Sequence, residues 1–89
     1  MTIKSVIYAP DFLRDIGNLP REITDLAFKK EKIFKENPFH PSLRTHPLKG
    51  KLRGLWSISI NMYYRMIFQL EEDKVIFISI GKHDIYKNL

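Results

Sequence analysis

Cysteine is absent from this 89-residue chain, which excludes disulfide stapling, thiolate metal sites and a cysteine nucleophile. A chain without cysteine suits a reducing compartment, so the cytoplasm is the expected location. Long apolar runs are missing too. None approaches the roughly 18 residues of a membrane span, and Met1-Thr2-Ile3-Lys4-Ser5-Val6-Ile7-Tyr8 has neither the apolar stretch nor the cleavage site of a signal peptide. The expectation is a protein that is not exported and has no membrane partner. Glycine is sparse, and Gly54 and Gly81 stand alone, so no GxxxxGKS/T phosphate cradle exists, nor is there an HExxH pair for zinc. Nucleotide-loop and metalloprotease readings fall away. Ser57 and Ser59 sit outside any nucleophile-elbow pattern, which argues against acyl transfer.

The most informative scarcity is of negative charge. The chain has a net charge of +5, with 15 Lys and Arg against 10 Asp and Glu. Residues 1–36 carry seven basic against six acidic side chains, and residues 71–89 carry three against four. Residues 37–70 hold Arg44, Lys49, Lys51, Arg53 and Arg65, together with His40 and His46, and no acid. A solvated basic loop is the ordinary alternative for a cluster of this size. This concentration points to an anion site and to a polyanionic partner, either nucleic acid or an acidic protein.

A chain of this length with 44% apolar residues supports one core, so residues 1–89 read as a single domain. Residues 3–8 read as a strand closed by Pro10. Phe12, Leu13, Ile16 and Leu19 recur at helical spacing before the Gly17-Asn18-Leu19-Pro20 stop. From Pro20, expected in the first turn, the stripe Ile23, Leu26, Ala27, Lys30, Ile33, Phe34 predicts a second helix to Glu36, its remaining Lys and Glu forming a solvated face. Asn37-Pro38 stops it. Pro38, Pro41, Pro47 and Gly50 make residues 37–50 an irregular loop.

Leu52–Asn61 alternates, with Trp56, Ile58, Ile60 and Met62 on one side and Ser57, Ser59 and Asn61 on the other. A hairpin turn at Asn61-Met62 leads to a second alternating run, Tyr63–Leu70. It puts Tyr64, Met66, Phe68 and Leu70 on one face and Tyr63, Arg65, Ile67 and Gln69 on the other. Val75–Ile80 is a continuous apolar run expected of a central strand. The expected fold is therefore α+β, in the order β-α-α-β-β-β, with a helical hairpin packed on a mostly antiparallel, twisted, four-stranded sheet. Parallel pairing of the first and last strands would make that hairpin the crossover. The opposite face would then gather the basic loop, Arg65 and the C-terminal residues.

RNA cleavage suits these residue types. The substrate brings its own nucleophile, the 2′-hydroxyl, and the protein has only to orient it, move two protons and offset phosphate charge. Neither metal nor cofactor is required, and His40, His46 and His83 stand in basic rather than carboxylate-rich contexts, unlike a metal site. Arg65 is a strand arginine flanked by aromatics with no acid nearby, suited to bidentate phosphate binding. His46 and His83 are candidates for base or acid, and Tyr86 for a proton donor or stacking surface. Arg44, Lys49, Lys51, Arg53 and Tyr63 are candidates for RNA binding. Trp56 and Tyr64 read better as packing residues.

Three segments carry a resemblance to a known family: His46-Pro47-Leu48-Lys49-Gly50 with Leu52-Arg53-Gly54-Leu55-Trp56, then Tyr64-Arg65-Met66-Ile67-Phe68, then Ile80-Gly81-Lys82-His83-Asp84-Ile85-Tyr86. They resemble the RelE/ParE toxin superfamily, and its RelE and YafQ-like mRNA interferases in particular. The resemblance implies a ribosome-dependent endoribonuclease toxin of a type II toxin–antitoxin system that inhibits translation. It implies proton transfer by His46, phosphate binding by Arg65, an acid at His83 and stacking or proton donation at Tyr86. The implied partners are mRNA on the ribosome, with 16S ribosomal RNA contacts, and an acidic antitoxin in a hetero-oligomer. YafQ-like members carry a further His and an Asp where this chain has Ser59 and Tyr63. The lysines, arginines and C-terminal tyrosine of RelE-like members are similar to Lys49, Lys51, Arg53, Arg65 and Tyr86. The rival implication is the ParE branch, which inhibits DNA gyrase without nuclease chemistry. A third is a detoxified member or a module that binds RNA without cutting it.

Overall fold

The computed structural model describes residues 2–82. Strand β1 (Ser5–Tyr8) leads into helix α1 (Pro10–Gly17) and helix α2 (Arg21–Glu36). Four strands follow: β2 (His46–Pro47), β3 (Trp56–Ser59), β4 (Tyr64–Glu71) and β5 (Lys74–Lys82). They form a single sheet in the order β1-β5-β4-β3-β2, parallel only between β1 and β5. The helical hairpin is thus the crossover between parallel neighbours, and β5 is an inner strand, as its apolar run predicts. No helix among the described residues is long and apolar enough to cross a membrane.

The sheet has one strand more than the sequence suggests. The proline-rich loop gives up His46 and Pro47 to pair antiparallel with Ser57 and Trp56, and the Leu48 N–H continues the ladder to the Leu55 carbonyl at 2.9 Å. Proline is compatible here because β2 is an edge strand, where the missing N–H can face away from the ladder. Strand β3 is correspondingly shorter than the alternating run. Residues Gly50–Leu52 wind into a 3₁₀ turn, the Leu55 N–H closes back on the Leu52 carbonyl, and Gly54 takes a φ of +100°, a backbone angle that glycine adopts without strain.

Helix α1 starts with Pro10 in its first turn, where a missing N–H does no harm. Pro20 stands one position earlier relative to α2 than expected, as its N-cap residue, and its carbonyl accepts the Ile23 and Thr24 N–H groups. The buried positions of α2 are Ile23, Ala27, Glu31 and Phe34, so the helix is rotated from the expected stripe: Glu31 turns inward and Lys30 toward one edge. Helices and sheet enclose an aromatic cluster. Phe77 packs against Phe34 (ring centroids 5.4 Å), Phe12 (5.5 Å), Tyr8 (5.8 Å) and Phe68 (6.1 Å), and Phe34 meets Phe68 edge-on at 4.8 Å. Ile58, Met66, Ile80 and Val75 are among the aliphatic residues buried in the same core.

Glu31 is only 8% exposed, and it is satisfied from both sides. The Tyr8 hydroxyl donates to its Oε2 at 2.7 Å, and Lys35 Nζ lies 3.3 Å from Oε1. This pairing ties β1 to α2. Burial, reinforced by the hydrogen bond to the Glu31 carboxylate and by its charge, pushes the Tyr8 hydroxyl up to about 12. Because the folded value exceeds the unfolded one, the stabilisation is complete below about pH 10 and is lost as pH rises toward about 12. Tyr8→Phe should cost about 1–2 kcal/mol at neutral pH. It should also flatten the fall in stability above about pH 10, as read from urea midpoints across the alkaline range. An unchanged alkaline profile would refute this role for Tyr8.

Candidate functional site

The sheet face away from the helices is built from cross-strand rows. His46 pairs with Ser57, Ser57 with Ile67, and Ile67 with Ser79, so these four side chains share one face. The next row is Ser59, Arg65 and Gly81. Arg65 therefore lies between a serine and a glycine, and its guanidinium donates to the Ser59 hydroxyl. His46 is two strands across and two residues along from Arg65, a Cα separation of about 12 Å at ordinary sheet spacings. Along the row joining His46 to Ser79, Ser57 and Ile67 are fully buried, while His46 at its edge is exposed.

The loop after α2 is anchored to the fold. Leu43 and Pro38 are buried, Phe39 meets Trp56 edge-on at 5.6 Å, and the Thr45 hydroxyl donates to the Pro38 carbonyl. His40 caps the 3₁₀ turn Pro41–Leu43, its Nδ1 accepting the Ser42 N–H at 3.1 Å, which gives this histidine a structural role. Arg44 ends the turn in the left-handed region, with φ 50° and ψ 45°. Its carbonyl meets His46 Nδ1 at 3.1 Å. A carbonyl can only accept, so this nitrogen donates, and in the neutral imidazole Nε2 keeps the lone pair.

Where this loop meets the β3–β4 hairpin there is an open cleft of about 310 Å³, lined by Lys30, Ser42, Arg44, Ser59, Ile60, Asn61, Met62 and Arg65. Three cations from three separate elements face it, and among the described residues no acidic side chain lines it. The hairpin tip at its rim is set by Asn61, whose Oδ1 accepts the N–H groups of Tyr63 (2.8 Å) and Tyr64 (2.9 Å) in an Asx turn. That turn leaves Met62 82% and Tyr63 67% exposed. The ion pairs among the described residues lie elsewhere, on α1, on α2 and in the β4–β5 turn.

Of the residues singled out from sequence, the fold brings Arg44 and Arg65 together in the cleft, with Tyr63 beside it at the hairpin tip. It places His46 on the same sheet face as Arg65. Lys49, Lys51 and Arg53 are exposed on or beside the Gly50–Leu52 turn, and none of them lines the cleft. His83 and Tyr86 lie outside the described residues. Sequence reasoning missed Lys30, Ser42 and Asn61. The signal for Lys30 was available, since its helical neighbours at three and four positions, Leu26, Ala27, Ile33 and Phe34, include no acid to pair with it. Among the described residues, no three His, Cys, Asp or Glu side chains gather as a metal would require.

The same architecture recurs in solved toxins. The toxin–antitoxin complex RelBE2 from Mycobacterium tuberculosis matches with a TM-score of 0.78 at 19% identity, over 93% of this chain and 94% of that one. The YoeB/ParE toxin from Agrobacterium tumefaciens matches at 0.76 and 18%, over 90% and 99%. YafQ from E. coli matches at 0.74 and 16%, over 93% and 97%. At such identities the likeness is one of fold. No curated protein matches the chain by sequence. The sequence profile of the ParE-like toxin domain, however, matches residues 27–88, which include α2 from Ala27, the basic loop, the cleft and strands β2 to β5. On that match, over well more than half of its length, the chain belongs to the ParE-like toxin family.

Proposed function

We propose that this chain is the toxin of a toxin–antitoxin pair and that it arrests translation by cutting mRNA on the ribosome. The observation that carries the reading is the cluster of Arg65, Arg44 and Lys30 at one cleft with no acidic side chain among its described lining residues, Arg65 projecting from the sheet face that also bears His46. Cations gathered without a carboxylate repel one another until an anion enters, and the phosphodiester of a single RNA strand is the anion that 2′-hydroxyl chemistry requires.

In this reaction the 2′-oxygen attacks the adjacent phosphorus and the bond to the 5′-oxygen breaks, leaving a 2′,3′-cyclic phosphate and a 5′-hydroxyl. Arg65 holds the non-bridging oxygens, its guanidinium positioned by Ser59. His46 takes the 2′-hydroxyl proton through Nε2, since Nδ1 is committed to the Arg44 carbonyl. His83 returns a proton to the leaving 5′-oxygen and Tyr86 stacks on a base, both roles resting on the family resemblance. Lys49, Lys51 and Arg53, exposed near β2, engage the strand or 16S ribosomal RNA beyond the cleft. No metal or cofactor takes part. The reaction belongs in the cytoplasm with the ribosomes, and the partner that silences it is an acidic antitoxin protein bound in a hetero-oligomer, as relatives solved as RelBE2 and YoeB–YefM complexes suggest.

The test is induced expression in a bacterium, with primer-extension mapping of 5′ ends on translated messages and Arg65→Ala and His83→Ala as controls. Cuts within codons that vanish in both variants are expected. His46→Ala should slow cleavage about a hundredfold without moving the urea midpoint, because its side chain is exposed and packs no core. A second reading, inhibition of DNA gyrase without nuclease chemistry, is favoured by the ParE-like character of the matching family profile. Intact messages together with gyrase-linked DNA breaks would establish that reading and remove the catalytic roles assigned above.

A further inference from the structure

We propose that Lys30 and Arg44 form a second phosphate subsite beside Arg65, so that the cleft holds a nucleotide adjoining the phosphodiester that Arg65 binds. The proposal rests on RNA being the ligand of this site. Lys30 comes from α2, an element packed against the other face of the sheet, yet its side chain reaches the cleft at the sheet's edge. Its ammonium is 3.5 Å from the Ser42 carbonyl, turned toward the loop.

The other basic residues of α2 have acids within helical reach. Arg21 and Lys29 have Asp25, Lys32 has Glu36, and Lys35 has Glu31, all four positions away. Lys30 has only Leu26, Ala27, Ile33 and Phe34 at those spacings, so the helix supplies no counter-charge there, and none of the described residues lining the cleft is acidic. Arg44 stands two residues after Ser42 in a left-handed backbone that ordinary residues avoid, which fixes where its side chain leaves the loop. Arg65 is already engaged with Ser59.

Size and lining distinguish a nucleotide from a bare phosphate. A volume of about 310 Å³ lies at the small end of ligand pockets and is larger than one phosphate fills. Ser42 and Asn61 add neutral hydrogen-bonding groups, while Met62 at the rim offers a polarizable surface to a base. A strand lying across Arg65 would therefore place its neighbouring phosphate between Lys30 and Arg44. Lys30 and Arg44 act by binding and positioning, not by proton transfer.

The experiment is an NMR titration of the isotope-labelled full chain at low salt with two uncleavable ligands, a 2′-O-methyl dinucleoside monophosphate and a 2′-O-methyl trinucleoside diphosphate. The second phosphate should tighten binding about five- to tenfold in the wild type. That gain should vanish in Lys30→Gln and in Arg44→Asn, the latter chosen because asparagine tolerates the left-handed region, and persist in Lys29→Gln. Lys30→Gln should also lower the salt slope for the longer ligand by about 0.7. The amide spectra of the same samples report whether each variant is folded.

Equal affinity of the wild type for both ligands, binding of neither, or a gain that survives Lys30→Gln would overturn the subsite. So would an oligoglutamate peptide that binds as tightly as the longer ligand and depends on the same two residues, which would make the cleft an acidic-protein site. Intact messages in producing cells would remove the cleavage reading while leaving the binding result standing. Conversely, lost dependence on Lys30 would remove the subsite and leave cleavage untouched.

Discussion

Arg65→Ala is expected to slow message cleavage about a hundredfold to a thousandfold while leaving a folded protein, the magnitude that follows from deleting one preorganised charge at a developing phosphorane. The reasoning is geometric. Arg65 projects from the middle of the sheet, between Ser59 on β3 and Gly81 on β5, so its backbone is held by ladders on both sides. Its side chain meets a hydroxyl and no carboxylate, which leaves the positive charge uncompensated among the described residues. Arg65→Lys keeps the charge and loses the planar fork, and should retain part of the activity.

Removing the guanidinium deletes one neutral-partner hydrogen bond, so the folding free energy should change by about 1 kcal/mol or less. Single-turnover cleavage on programmed ribosomes, with urea denaturation alongside, separates the two effects. Cleavage at the wild-type rate in Arg65→Ala would sink the proposed mechanism. Loss of the folded state in this variant would show that Arg65 is structural.

The second large effect is on stability. Phe77→Ala should destabilise the protein by about 3–5 kcal/mol, a large share of the roughly 5–15 kcal/mol that holds a small domain together. Phe77 is fully buried on inner strand β5 and contacts the rings of Tyr8, Phe12, Phe34 and Phe68. One ring thus joins β1, α1, α2 and β4, and its loss opens a cavity that none of these elements can fill without moving its own strand or helix. Ile7→Ala on β1, at a position 46% exposed, is the matched control and should cost well under half as much. Urea midpoints at fixed pH give both numbers. A shift below about 1 kcal/mol for Phe77→Ala would mean that the aromatic cluster is not the centre of the core.

Helices α1 and α2 and strands β1, β4 and β5 were legible in the chain because each repeats its apolar residues with its own period over enough residues to show. The acid-free stretch 37–70 likewise marked a concentration of positive charge from which Arg44 and Arg65 reach the cleft, since the charge carried by a segment survives folding. Strand β2 was not legible. Two residues, one of them proline, have no period, and they pair only because the 3₁₀ turns on either side deliver them to the edge of β3.

The phase of α2 was equally hidden, because positions 30 and 31 both stand three or four residues from Ala27 and Phe34 and fit one stripe equally well. What separates them is the partner: Tyr8, brought across by the parallel pairing of β1 with β5, gives Glu31 a partly buried donor and leaves Lys30 to the cleft. Residue type and periodicity thus specified the elements, the expected core and the sign of the site's charge. Which side chains meet was a matter of register between distant strands: His46 shares a row with Ser57, and Arg65 with Ser59 and Gly81, because each strand lies at one offset against the next. A local pattern in the chain cannot carry that offset.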